Sequence, residues 1–292
     1  MPTASINGVE LYYETFGAGY PLLFIHGGFG GLGTGTGQRT PAWVETLAQQ
    51  FRVILYDRRS SGRSAFPESK HTMQLLADDA YELLRHLGIE RAHVWGTSAG
   101  GFIAVALALF HPEVVAGLVV AESATRLSQD ETLLAGLRDR VALLERDGAV
   151  AAYEARRTSG TVGLNIFAAE RPALTDEETR EREQRRAELQ AQLAQVPREE
   201  RIAKYAGELR NYSAYTDWDA TPRLGELTMP TLLVFGTADT VFPQANWEAL
   251  IAGRPNFTYV PIEGADHGQA ATSERGLAAT IEFLRAQTPV TA

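Results

Sequence analysis

Cysteine is absent from this chain of 292 residues. That absence excludes disulfides, thiolate metal sites and a cysteine nucleophile, and says little about compartment. Positive charge is also in short supply: 27 Lys and Arg against 36 Asp and Glu leave a formal charge of -9, with an isoelectric point near 5.3. Surfaces that grip nucleic acid or anionic membrane need clustered basic residues, so neither partner is expected. No apolar run approaches the length of a membrane span, and Met1-Pro2-Thr3-Ala4-Ser5 has neither a basic region nor an apolar stretch. A soluble, cytoplasmic protein is the expectation. Internal repeats and low-complexity linkers are lacking too.

What is present is enough apolar sequence, 45% of the residues, to bury a substantial core in one large domain or one domain with an insertion. Residues 4–16 alternate around Asn7-Gly8, a dipeptide suited to a type I′ turn, which predicts two antiparallel strands. Short continuous apolar runs at 21–25, 52–56, 92–95, 114–120, 231–235 and 256–262 suit strands buried on both faces. Helical stretches lie between them, at 41–50, 72–87, 99–110, 244–252 and 273–286. In the second of these Met73, Leu76, Ala80, Leu83, Leu84 and Leu87 share one face. Such alternation predicts a mostly parallel sheet with helices on both faces, whose ligands bind at the carboxyl ends of the strands.

Between 123 and 222 the pattern changes: charge density rises and no strand is evident. Ser128-Gln129-Asp130-Glu131 reads as a capping box ahead of the apolar stripe Leu133, Leu134, Leu137, Val141 and Leu144. Thr175-Asp176-Glu177-Glu178 reads as a second box, opening a helix that runs to about Val196 before Pro197. The charged run 177–186 is a solvated face. An insertion of this size between two strands is a helical cap (123–222) over the carboxyl edge of a core built from 1–122 and 223–292. Aromatics in its later part, Tyr212, Tyr215 and Trp218 (with Tyr205), are candidates to line a substrate pocket together with Phe29, although packing of the cap onto the core explains aromatics there equally well.

Chemistry concentrates at Gly96-Thr97-Ser98-Ala99-Gly100, a G-x-S-x-G pattern where an apolar strand gives way to an apolar helix. Such an abrupt turn holds its hinge residue in a strained conformation, with glycines on either side because a Cβ there would collide with its surroundings. Ser98 is thereby pushed out at the top of the sheet, where the Ala99 amide and the helix dipole face any oxyanion formed by its attack. A serine hydroxyl needs a base within hydrogen-bond reach and a carboxylate to orient that base. His267 and Asp239 meet those needs, each in a loop just after a strand on the same edge as Ser98. The glycine-rich loop beginning His26-Gly27-Gly28-Phe29-Gly30 matches a dinucleotide-binding G-x-G-x-x-G at Gly28, Gly30 and Gly33. No helix opens at once after it, however, and no Gly-Lys-Ser/Thr follows. The preferred reading is an oxyanion loop in which the N–H of Gly28, or of Phe29, is the second donor beside Ala99. Asp57 is read as a turn cap paired with a nearby arginine.

The order Ser98, Asp239, His267, with the elbow between strand and helix, resembles the α/β-hydrolase family over nearly the whole chain. His26-Gly27-Gly28, Asp57 with Gly62-Arg63-Ser64, Gly96 to Gly101, Gly236 to Asp239 and Gly264 to Gly268 carry the resemblance. It implies an α/β fold with an eight-stranded, mostly parallel sheet, helices on both faces and a helical cap, and chemistry that needs no cofactor and no metal. Some members, lactone hydrolases resembling zearalenone hydrolase among them, supply the acid from the strand end that Glu122 occupies, so Glu122 is the alternative to Asp239. His-Gly-Gly-x-Gly-Gly and Asp-x-Arg-x-x-Gly-Arg-Ser are also similar to proline iminopeptidases, which have proline where Phe29 stands and tryptophan where Ala99 stands.

The expected activity is hydrolysis of a small-molecule carboxylic ester through an acyl-enzyme on Ser98, with His267 as base and Asp239 as its orienting acid. The alternatives are a proline iminopeptidase-like aminopeptidase, a lactone or carbon–carbon bond hydrolase, a cofactor-free perhydrolase, and a slow-turnover ligand receptor like those of strigolactone signalling. A homodimer is kept open as its assembly.

Overall fold

The computed structural model describes residues 2–30, 41–158, 180, 184, 187, 191, 195–243 and 245–289. Its strands are β1 (Thr3–Ile6), β2 (Val9–Phe16), β3 (Tyr20–Ile25), β4 (Phe51–Tyr56), β5 (Ala92–Thr97), β6 (Val115–Ala121), β7 (Thr231–Gly236) and β8 (Phe257–Ile262). They form one sheet in the order β1-β2-β4-β3-β5-β6-β7-β8. β2 pairs antiparallel with β1 and β4, and every other pairing is parallel. The hairpin expected at Asn7-Gly8 is there: Ile6 faces Val9, and φ is 46° at Asn7 and 77° at Gly8.

The parallel strands read as unbroken apolar runs because both of their faces are covered. Leu23 and Ile25, Ile54 and Tyr56, Leu118 and Val120, and Leu233 and Phe235 enter the core on one face. Their alternates Leu22 and Phe24, Val53 and Leu55, Val119 and Ala121, and Leu232 and Val234 enter the core on the other. The two-residue period thus splits each run between two helical layers. Helices α2 (Met73–His86) and α3 (Ala99–Phe110) cover the first face; α1 (Ala42–Ala48) and α7 (Glu274–Gln287) cover the second. Thr72 Oγ1 caps α2 by accepting from the Leu75 N–H, and Ser273 Oγ caps α7 through the Gly276 N–H.

Chain order places the site. After β3 the chain moves outward to β4, then crosses back to lay β5 on the opposite side of β3. This reversal leaves a crevice between the carboxyl ends of β3 and β5, the position where ligands bind in open α/β sheets.

Among the described residues between β6 and β7 stand the long helices α4 (Glu131–Thr158, interrupted at Gly148) and α5 (Arg198–Thr216). Leu134, Leu137, Val141 and Leu144 of α4 and Ile202, Tyr205 and Leu209 of α5 are all buried. The ends of the segment meet in a bridge between Arg126 and Asp219, beside a hydrogen bond from Ala220 N–H to Thr125 O (2.9 Å). The cap of α4 lies two residues later than the expected box. Asp130, not Ser128, precedes the first turn, and its Oδ1 accepts from the N–H of Thr132 and Leu133, while Ser128 Oγ takes the Asp130 N–H. Both residue types cap helices, and the carboxylate next to the first turn holds the position. The second box, 175–178, lies outside the described residues, as does most of the helix expected after it. Among the described residues no helix is long and apolar enough to cross a membrane. α6 (Ala245–Ile251) lies between β7 and β8.

Candidate active site

β5 runs between β3 and β6, so its carboxyl end opens at the middle of the sheet. There Ser98 adopts φ 51° and ψ -124°, and its N–H is held by the carbonyl of Ala121 at 2.9 Å. A non-glycine residue in that conformation stores of the order of 1–3 kcal/mol of strain, which the surrounding strands must hold. Flanking glycines are needed for space: a Cβ on Gly96 would run into the Gly100 carbonyl, and one on Gly100 into the carbonyls of Ile25 and His26.

The structure brings Ser98, His267 and Asp239 into one hydrogen-bonded chain. His267 Nε2 lies 3.0 Å from Ser98 Oγ, and His267 Nδ1 lies 2.9 Å from Asp239 Oδ2. Asp239 is held in turn, because its Oδ1 accepts from the N–H of Val241 (2.8 Å) and Phe242 (3.0 Å). The two loops are tied to each other as well. Ala238 N–H reaches Ala265 O at 3.0 Å, and Gly264 N–H reaches Thr237 Oγ1 at 2.8 Å. With Nδ1 protonated toward the carboxylate, Nε2 is the basic nitrogen that faces the serine hydroxyl.

Glu122, the other acid weighed from the sequence, is buried at the end of β6 and makes no hydrogen bond to the imidazole. Its Oε1 accepts from the Ala270 N–H at 2.6 Å, and Oε2 lies 3.4 Å from Thr97 Oγ1. Burial pushes its carboxyl above the ordinary range, opposed by the Ala270 N–H and the nearby His267. Asp57 takes the turn-cap role: its Oδ2 accepts from Arg63 N (2.9 Å) and Nε (2.8 Å).

His26 opens the glycine-rich loop and is held as a neutral ring. Burial, and then the Arg58 guanidinium, push its imidazole down to about 3. Its Nδ1 lies 2.7 Å from Gly27 O, and its Nε2 faces the backbone N–H of Arg58 at 3.3 Å. Among the described residues the N–H groups of Gly28 and Ala99 have no acceptor in the protein. Among the described residues the first helix after this loop opens at Ala42. Gly33 lies outside the described residues.

A cavity of about 360 Å³ opens beside Ser98 and His267. Phe24, Trp43, Leu55 and Ala271 are its apolar walls, with Thr97 and Glu122 as polar ones. None of the aromatics named from the sequence as candidate pocket residues is among those that line this cavity. Phe29 stacks on Tyr212 (centroids 4.7 Å apart) and meets Tyr215 edge-on, and all three are buried in the core between α5 and the sheet. Trp218 packs against Phe110. These aromatics fasten α5 down, and the cavity wall comes instead from β3, β4 and α1. Sequence reasoning missed Phe24 and Trp43. The available signal was their position, at the end of the strand before the glycine loop and at the start of the helix after it.

The family described as the alpha/beta hydrolase fold matches residues 20–270. A protein of Azorhizobium caulinodans provisionally named carbamate hydrolase RutD is 29% identical over 276 residues, covering 94% of each chain. A thermophilic esterase from Thermogutta terrifontis, solved with malate bound, superposes with a TM-score of 0.71 at 26% identity, over 98% of this chain and 97% of the other. An enol-lactonase from Burkholderia xenovorans LB400 shares the fold at a TM-score of 0.67 and 23% identity, over 97% and 100%.

Proposed function

This chain belongs to the α/β-hydrolase fold family, and from that premise we propose that it is a serine hydrolase acting on small carboxylic esters. The observation that carries this reading is the Ser98–His267–Asp239 chain at 3.0 and 2.9 Å. His267 takes the Ser98 proton as Oγ attacks the acyl carbon, and the resulting oxyanion is met by the N–H groups of Ala99 and Gly28. The same imidazole then gives its proton to the departing alcohol. Water repeats the sequence on the acyl-enzyme, releasing the acid and restoring Ser98. Asp239 keeps Nδ1 protonated and stabilises the imidazolium throughout. The likeness to the Thermogutta esterase supports ester as the scissile bond. The cavity is near the small end of ligand pockets, which favours short acyl chains.

Carbamate cleavage is the second reading, favoured by the likeness to the Azorhizobium protein. It uses the same attack on a carbonyl carbon. Purified protein and Ser98→Ala should be assayed on p-nitrophenyl esters from acetate to laurate, on a p-nitrophenyl carbamate and on proline p-nitroanilide. Ser98-dependent turnover of the short esters is the expected result. Preference for the carbamate would move the assignment to the second reading, and cleavage of the anilide to an aminopeptidase.

A further inference from the structure

Arg58 follows Asp57 at the carboxyl end of β4 and is 1% exposed, yet among the described residues no carboxylate lies within ion-pair distance of it. Its neighbours are differently supplied: Arg59 pairs with Asp79, and Arg63 with Asp57. A buried cation without a counter-charge is unfavourable unless its donors are matched. Those of Arg58 are matched by neutral acceptors around the nucleophile. Nη2 donates to the carbonyls of Gly28 and Gly27, the latter at 3.3 Å; Nε points to His26 Nε2 at 3.4 Å; Nη1 donates to Tyr215 Oη at 2.5 Å. The Tyr215 hydroxyl passes the link on to Ala99 O at 3.2 Å.

The consequence is directional. All described peptide bonds are trans, so the N–H of each peptide unit points opposite to its C=O. With the Gly27 and Gly28 carbonyls turned toward Arg58, the N–H groups of Gly28 and Phe29 turn the other way. Ser98 lies against this loop, since a Cβ on Gly27 would come within 3.1 Å of Ser98 Cβ. His26, kept neutral, leaves Nε2 free to accept from Arg58 while Nδ1 holds Gly27 O.

We propose that Arg58 is a positioning residue that presets the oxyanion hole: it fixes the Gly27 and Gly28 carbonyls on the far side of the loop and, through Tyr215, sets that loop relative to Ala99. The inference rests on the serine-hydrolase reading. It also gives α5 a part in catalysis, because Tyr215 belongs to that helix, outside the sheet and its flanking helices. A peptide flip at residue 27 or 28 would put a carbonyl where the oxyanion forms, and the guanidinium opposes that flip.

The test uses Arg58→Met, Arg58→Lys and Tyr215→Phe in the full chain. Three quantities are read: the rate of Ser98 phosphonylation by a fluorophosphonate, kcat and KM on p-nitrophenyl acetate, and Tm. Arg58→Met should lower kcat and the phosphonylation rate by about 10²- to 10³-fold, as loss of an oxyanion donor does, with KM within about threefold. Arg58→Lys should recover part of both rates, because the ammonium reaches a carbonyl. Tyr215→Phe should lower both by about three- to tenfold, the range of one hydrogen bond. A folded Arg58→Met whose two rates stay within about twofold of the parent, or whose loss lies in KM alone, would overturn the proposal. Should Arg58→Met fail to fold, Tyr215→Phe decides, and unchanged rates there overturn it equally. If the fluorophosphonate labels the parent no better than Ser98→Ala, the serine-hydrolase reading itself has failed and this inference falls with it.

Discussion

Asp239 and Glu122 are both buried carboxylates near His267, and their hydrogen bonds assign them different work. Asp239 turns one oxygen to the imidazole and anchors the other on two backbone N–H groups, whereas Glu122 anchors the Ala270 N–H and reaches no ring nitrogen. Asp239→Asn should therefore lower kcat by about 10⁴-fold, through the wrong imidazole tautomer, while Glu122→Gln stays within about tenfold. A Glu122→Gln loss as deep as that of Asp239→Asn would make Glu122 the acid. Ser98→Ala should remove about 10⁴ to 10⁶ of kcat on the same ester.

The elbow and the two faces of the sheet are where local sequence dictates local structure. Gly100 cannot carry a Cβ because backbone carbonyls of Ile25 and His26 occupy that space, and strand ends do not give way as flexible side chains do. Gly100→Ala should cost about 3 kcal/mol or more in chemical denaturation and abolish activity. Ser273→Ala, which removes the cap of α7 and the hydrogen bond from Ser273 Oγ to Ala270 O, should cost about 1–2 kcal/mol and leave kcat unchanged. The same contrast explains how much of the site was legible. Ser98, Asp239 and His267 were legible because each occupies a short strand-to-loop junction with its own glycine pattern. The fate of Tyr215 was not, since its partner Arg58 lies 157 residues away and only the docking of α5 brings them together. The packing of Phe29 and Tyr212 was open for a related reason: aromatics suit a ligand wall and a helix-to-sheet interface equally, and sequence periodicity does not distinguish the two.

At the scale of the whole molecule, three buried histidines contribute to the response to acid. Burial pushes His71 and His93 down to about 4, with nearby arginines adding to it, and His26 to about 3. Each is depressed in the folded state, so the unfolded chain binds protons first as pH falls. The stabilisation they give is complete above the ordinary imidazole range and is lost between there and about pH 4, or about pH 3 for His26. His71→Gln removes the hydrogen bond to Ser60 Oγ and should be less stable than the parent at neutral pH. Its stability should fall less steeply from pH 6.5 to 4.5, by up to about 1.4 kcal/mol per pH unit, so that the two denaturation curves converge; parallel curves would contradict the shift. The central claim, that Ser98 is acylated and deacylated by His267, is tested most directly by rapid mixing with p-nitrophenyl acetate, followed by intact-mass and peptide analysis. The account predicts a p-nitrophenol burst approaching one equivalent when deacylation is the slower step, or steady turnover without one when it is not. When deacylation is the slower step, quenched protein should carry an acetyl group on the Ser98 peptide; in both cases Ser98→Ala should show neither label nor turnover. Turnover that persists in Ser98→Ala, or an acetyl group on another residue, would contradict it.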